Sequence, residues 1–178
     1  PAFSPRRQAA HTDPLAGKFG AAGAEVVVEA FLDGEEAVVE WAGTDHTYGS
    51  RHYVAEAQRS GTVSSIKALV LLDMIGDRGL DIRRDSNSTP WLVDVVWAAA
   101  QRIGHRSTFV NDLTTIEDDH LAFVRAGIPS VDIIDLNYAE WHTPQDDLNH
   151  VSAASLQIVG DVVLAALPDI EQRLAAVR

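Results

Sequence analysis

Glu35 and Glu36 stand behind the turn dipeptide Asp33-Gly34, at the end of the apolar run Val26–Leu32. A Val-rich run closed by such a dipeptide reads as a buried strand, roughly Glu25–Leu32. Adjacent carboxylates at the carboxyl end of a strand repel each other, and a metal ion or a shared proton would relieve that repulsion. The bland alternative is a solvated turn whose acids lie near the positive end of a helix. Asp73 raises the same question as the one acid in the apolar stretch that precedes Met74. A lone Asp in such a run is costly unless paired or ligated; its ordinary role would be to cap amides of the following loop. Asp118-Asp119-His120 and Trp141-His142-Thr143-Pro144 complete the set of residues that could do chemistry. With no cysteine in the chain, thiol catalysis, disulfides and thiolate metal sites are all excluded. Any metal must then sit on His, Asp or Glu, a donor set that suits zinc and manganese among others.

The elements that must position these residues alternate. After an irregular Pro1–Ala24 and the first strand comes a loop, Trp41–Ser50, holding Asp45, Tyr48 and Gly49, then a short helix from about Arg51 to Arg59. The second strand, Lys67–Ile75, is apolar on both faces, as a central parallel strand should be. Ser88 and Pro90 announce a helix, along which Leu92, Val95, Val96, Ala99 and Ile103 recur at helical spacing until Gly104. Trp91 and Trp97 read as packing residues. A short strand fits Ser107–Val110, a short helix Leu121–Ala126, and a third strand Ser130–Ile134. The last helix runs from about Ser152 to Leu167, with Leu156, Val159, Val163 and Ala166 as its buried stripe. Strands alternating with helices imply an α/β class with a largely parallel sheet. Ligands of such sheets bind beyond the carboxyl ends of the strands, and there Glu35, Glu36, Asp73 and His142 all fall, with Asp118 in reach of the same rim.

The 178 residues read as one domain, with 46% hydrophobic and 22% charged residues typical of a globular chain. The net charge of −12 repels phosphate backbones and acidic membranes, which argues against nucleic acid as a partner. No apolar run reaches membrane-spanning length, and Pro1–Ala10 lacks the apolar core of a signal peptide.

The stretches FLDGEEA, YGSRH, LVLLDMIGD, RDSNSTPW, IEDDHLAFVRAGIPSVDIID and WHTPQDDL, in that order, resemble the M28 zinc metallopeptidase-like family, and within it the bacterial branch similar to glutaminyl cyclases (glutaminyl-peptide cyclotransferases). The resemblance covers nearly all of Glu25–Leu167. It implies a three-layer αβα fold of the zinc exopeptidase, or phosphorylase-hydrolase-like, kind. It also implies zinc held by Glu36 and His142, Glu35 as general acid/base, and Asp73 with Asp118 as an acidic pair beside the reacting centre. Trp41 and Trp141 would line the substrate pocket. Glu117 takes the place of a glutamine there, turning a hydrogen-bond donor into an acceptor. His120 is read as structural, and His46, His52, His105 and His150 as surface or packing residues.

By the same resemblance the substrate is a peptide with a free N-terminus, its N-terminal glutamine closed to pyroglutamate with loss of ammonia. One zinc ion is expected. Two would be expected for an M28 aminopeptidase, in which the position of Asp73 and that of His11-Thr12-Asp13 supply further ligands. A periplasmic or secreted location is implied by analogy with exported bacterial relatives. One departure stands out. The family's segment with a metal-binding aspartate, and its following helix, are missing between His11 and Glu35. Three readings fit: a fragment, a reduced homologue in which His11 or Asp13 substitutes as ligand, or a binding-only remnant. A missing helix would also leave an apolar sheet face through which copies could associate.

Overall fold

The computed structural model describes residues 27–176. His11 and Asp13, with the whole of Pro1–Ala24, lie outside the described residues. The chain divides between Phe31 and Leu32, and the second unit, Leu32–Arg178, carries every helix and strand described here.

Its elements are α1 (Tyr48–Arg59), β1 (Leu69–Asp73), β2 (Ile82–Asp85), α2 (Pro90–Arg102), β3 (Phe109–Thr114), α3 (His120–Arg125), β4 (Ser130–Ile134) and α4 (Ala153–Ala175), with a short 3-10 turn at Val63–Ser65. β1 pairs in parallel with β4, Leu69 opposite Ser130 and Asp73 opposite Ile134. β2 pairs in parallel with β3, with an irregularity between Ile82 and Arg84. β2 lies beside β4 without a ladder between them; instead the Asp81 N–H donates to Asp135 Oδ2 and the Asp132 N–H to Ser88 Oγ.

Alternation along the strands sorts side chains between two apolar layers. Val131 and Ile133 of β4, Val70 of β1, Ile82 of β2 and Phe109 of β3 face α2 and α4, where Leu92, Val96, Val159, Val162 and Ala166 are fully buried. Leu69 faces the other way, toward Val54 of α1, Phe123 of α3 and Ile128. Helices thus cover both faces of the parallel strands, the three-layer α/β arrangement expected from the sequence. Each large apolar side chain so buried contributes about 1.5–3 kcal/mol.

Several expectations are corrected. Residues 27–32 form no strand: Val27, Val28 and Phe31 are exposed, because β propensity makes a strand only where a neighbour completes the ladder. Among the described residues the fully buried strand is β4, whereas β1 is half-buried and Leu72 is exposed; β4 has neighbours on both sides and β1 ladders only with β4. Ser88 does not cap α2. Thr89 holds the N-cap position, and the Ser88 hydroxyl is spent on Asp85 Oδ2 at 2.7 Å. β2 is an added strand. α4 runs to Ala175, through Pro168, and Leu156 lies on its exposed side. At 23 residues and a mean hydropathy of 1.5, α4 is by length and composition long and apolar enough to cross a membrane. Its buried Val159, Val162, Ala166 and Ile170 pack in the core, and a core helix meets that same criterion.

Ile133→Ala should therefore cost about 2–5 kcal/mol in urea unfolding, the range for emptying a close-packed site. Leu156→Ala on the exposed side of α4 should stay within about 0.5 kcal/mol.

Candidate active site

The turn that carries Glu35 and Glu36 is held by backbone bonds to the start of α1. The Thr47 N–H donates to the Glu35 carbonyl (2.7 Å) and the Tyr48 N–H to the Gly34 carbonyl (2.8 Å). Gly49 permits this approach: a Cβ there would collide with the Asp33 carbonyl oxygen and lie 2.8 Å from the Asp33 nitrogen. Asp45 organises the intervening loop by accepting the N–H groups of Val38, Val39 and Glu40 and the Tyr48 hydroxyl. The bond from Tyr48, then those three amides, hold its carboxyl well below the usual range. Arg51 Nη1 donates to the carbonyls of Thr44 and His46, so one turn of α1 fixes both ends of the loop.

Asp73 ends β1, and its Oδ1 accepts the N–H of Met74 at 2.9 Å. Asp118 and Asp119 are buried at the start of α3. The Asp119 N–H donates to Asp118 Oδ1, and the Ser50 hydroxyl to Asp119 Oδ1 at 2.5 Å. Burial first, then Glu36, Asp73 and Asp119, push Glu35 up to about 7. Burial, with Asp73, Asp119 and Glu35, pushes Asp118 up to about 8. Asp73 is also raised by burial, although Asp118 hydrogen-bonds to it. Asp73 and Asp118 are thus two crowded carboxyls whose repulsion one proton held between them would relieve.

His142 Nε2 lies 3.7 Å from Glu36 Oε1, with both side chains open to solvent. Zinc bonds of about 2.0–2.2 Å place two tetrahedral donors roughly 3.3–3.6 Å apart, so a small contraction brings both onto one ion. A catalytic zinc takes three protein ligands. Among the described residues no group of three His, Asp or Glu side chains can hold an ion, so the present donors fit two of the three positions. The loop bearing His142 is closed by the Tyr138 hydroxyl on Asp146 Oδ2 (2.8 Å) and by His150 between Asp147 (3.4 Å) and Glu140 (3.8 Å). It is tied to the loop after β1 by Arg78 on the Asn149 carbonyl and by the Ser152 N–H on the Gly76 carbonyl.

The structure therefore gathers Glu35, Glu36, Asp73, Asp118 and Asp119 within electrostatic reach, and sets Glu36 beside His142. Trp141 tilts over the His142 ring at 4.4 Å. Trp41 stacks face to face on buried His46 at 4.5 Å, and His46 acts on Asp119. Glu117 is exposed next to Asp118. Sequence reasoning missed Asp45 and Asp119 as organisers, and Asp45 left no periodic signal to find. Thr47, Met74 and His142 all have positive φ, 49°, 46° and 55°; each is, or adjoins, a residue of this region. Such strain in non-glycine residues gathers at functional sites.

Residues 14–167 match the model of peptidase family M28. The chain belongs to that family. A glutaminyl cyclase from an Acidobacteriales bacterium superposes with a TM-score of 0.78 at 46% identity, over 80% of this chain and 52% of that one. A Zn-dependent exopeptidase from Parabacteroides distasonis does so at 0.65 and 25% identity, over 75% and 51%. The glutaminyl-peptide cyclotransferase of Drosophila melanogaster is 28% identical in an alignment 146 positions long that covers 70% of this chain and 41% of that protein. This M28 chain thus spans about half the length of the relatives it matches, and its fold is the α/β fold of glutaminyl cyclases and zinc exopeptidases.

Two outcomes follow for the M28 site. Gly49→Ala should displace the Glu35-Glu36 turn and cost about 1–3 kcal/mol in thermal unfolding, as overpacking does. In metal-free protein, Asp118 keeps its proton up to about 8, whereas an unfolded Asp releases it near ~4. Its contribution to stability is fully present below ~4 and is lost as pH rises to about 8. Melting temperature should therefore decline across that window, and Asp118→Asn should flatten the decline.

Proposed function

We propose that this chain is a zinc-dependent glutaminyl-peptide cyclotransferase-like enzyme, which closes the N-terminal glutamine of a peptide to pyroglutamate and releases ammonia. The observation that carries this reading is a carboxyl group pushed up to about 7, Glu35, adjoining a Glu36–His142 pair spaced for one cation. A group with that pKa can both take and return a proton near neutral pH. Glu35 would accept the proton from the attacking α-amine and deliver it to the departing nitrogen. The Asp73–Asp118 pair, holding one proton between two carboxyls, presents both a donor and an acceptor for orienting the amine and the amide. Trp41 and Trp141, both partly exposed, offer apolar walls for the glutamine side chain. Glu36 and His142 would hold zinc, which when bound supplies polarisation of the γ-amide carbonyl and of the charge developing on it. His11 or Asp13 is the candidate third ligand within this sequence.

The likeness to a Zn-dependent exopeptidase supports a second reading, an M28 aminopeptidase. The same carboxylate would then take a proton from water, and Asp73 would help to hold a second ion. The half-length match to relatives supports a third, a catalytically incomplete homologue.

Zinc titration of the metal-free chain, followed by an ammonia-release assay on a Gln-initiated peptide, separates the three. The cyclase reading expects one ion per chain, turnover, and a loss of about 10²–10⁴ in kcat for Glu35→Gln with zinc uptake retained. Two ions with release of N-terminal residues would favour the aminopeptidase. Neither zinc uptake nor turnover would leave the incomplete homologue.

A further inference from the structure

The stretch Arg84–Trp91 has no part in the chemistry above, yet the polar side chains from Asp85 to Thr89 are all engaged. The Ser86 hydroxyl pairs with that of Thr115 at 2.8 Å, and the Ser86 N–H donates to the Thr114 carbonyl. Asn87 Nδ2 donates to the Ile116 carbonyl at 2.6 Å. The Ser88 hydroxyl donates to Asp85 Oδ2 and accepts the N–H of Asp132, and Thr89 Oγ1 accepts the N–H of Ser130. Asp85 is the centre of this set. Its Oδ1 accepts the N–H of Ile116 at 2.9 Å, two residues before Asp118. Its Oδ2 faces His120 Nε2 at 3.1 Å, directly after Asp119. One fully buried carboxylate therefore grips both ends of the turn Glu117-Asp118-Asp119.

The far side of the His120 ring meets a second buried carboxyl, Asp132 of β4, whose Oδ2 lies 3.5 Å from Nδ1. His120, Asp85 and Asp132 have no exposed side-chain surface. The groups facing this trio are all acidic: Asp118 and Asp119 at the start of α3 and Asp73 on β1. Burial first, then these neighbours and Asp85, raise Asp132 well above the ordinary range, which favours its neutral form beside Nδ1. Burial works against charge on Asp85 as well, but the bonds from His120, Ser88, Ile116 and Asn87 outweigh it and keep Asp85 ionised. Neither ring nitrogen makes an in-line hydrogen bond in this arrangement, but the shorter, 3.1 Å contact sets Nε2–H toward the Asp85 carboxylate, the tautomer that leaves Nδ1 as the acceptor facing Asp132.

We propose that Asp85, acting through His120 and the Ile116 amide, is the positioning residue that sets where Asp118 and Asp119 stand in the site. As a statement about catalysis this rests on the cyclase reading; as a statement about geometry it stands apart from it. The two carboxyls around His120 should then respond differently to the same chemical change. Asp132→Asn still offers a neutral donor to Nδ1. Asp85→Asn sets an amide N–H against either the Ile116 N–H or the His120 and Ser88 donors.

The test is nitrogen NMR of the His120 ring, together with hydrogen exchange at the Asp119 N–H, in the full chain. Wild type and Asp132→Asn should show the Nε2–H tautomer and a protected Asp119 amide. Asp85→Asn should shift the ring to Nδ1–H and speed Asp119 exchange about tenfold or more. If cyclisation is observed, Asp85→Asn should also lower kcat at least about tenfold with KM nearly unchanged, the mark of misplaced groups, while Asp132→Asn should stay near wild type. Should Asp85→Asn fail to fold, Ser88→Ala, which removes one of the donors to Oδ2 and leaves the carboxylate, should keep the Nε2–H tautomer but loosen Asp85 and speed Asp119 exchange. Equal effects of the two Asn variants would overturn the proposal, as would an unmoved ring and amide in Asp85→Asn or, where that variant does not fold, an unmoved amide in Ser88→Ala. Absence of turnover in wild type would instead sink the cyclase reading and leave the NMR outcome to decide the geometry.

Discussion

Carboxyl groups crowded together must be neutralised, and this constraint orders much of the second unit. Burial first raises the proton affinity of Glu35, Asp73, Asp118, Asp119 and Asp132, and all of them but Asp73 are raised further by others of this set; the neighbours that offset the rise include amides, hydroxyls and imidazoles. Hydrogen bonds from Ser50 and a backbone amide steady Asp119 and Asp118, and Glu36 with His142 faces solvent at a spacing suited to a cation. The two apolar layers supply the rigidity this arrangement needs. Burial of Val131 and Ile133 on one side, and of Phe123 and Val54 on the other, fixes the strands and helices that carry these carboxyls.

The means of support differ with depth. Near the surface the Glu35-Glu36 turn is set by backbone bonds to Thr47 and Tyr48, with Asp45 gathering three consecutive amides. In the interior the same task falls to side chains, with Asp85 receiving an amide on one oxygen and an imidazole on the other. The local bonds account for why the residues of the site stand where they do.

What could be read from the sequence follows from what periodicity records. β4 and α2 were legible because Ser130–Ile134 is a short run between turn signals and Leu92, Val96 and Ala99 repeat at helical spacing. β2 was not, because Ile-Arg-Arg-Asp looks like surface until Ile82 and Asp85 are seen to be buried. The run before Asp33 looked like a strand, but residues 27–32 make no ladder, and no single-sequence pattern reveals whether a partner exists. The end of α4 was missed because Pro168 was a reasonable stop signal, whereas the helix passes through it with Arg102 donating to the nearby Ala165 carbonyl and pairing with Asp169. Asp73 drew notice as an acid in an apolar run and Glu35-Glu36 as an adjacent pair behind one, while the role given to Asp118 came from the resemblance. Their supports, Asp45 and Asp85, lie in polar stretches where one more Asp attracts no notice.

The positive φ angles at Thr47, Met74 and His142 carry an implication for how such a cleft endures. Each places a Cβ where glycine or asparagine would rest more easily, at a cost on the order of 1 kcal/mol or more. That tension is offset by burial elsewhere and has no benefit to the bare scaffold. A lineage selected for sturdiness alone would drift toward relaxed residues at these three points, so their retention in related chains would be a signature of continued use.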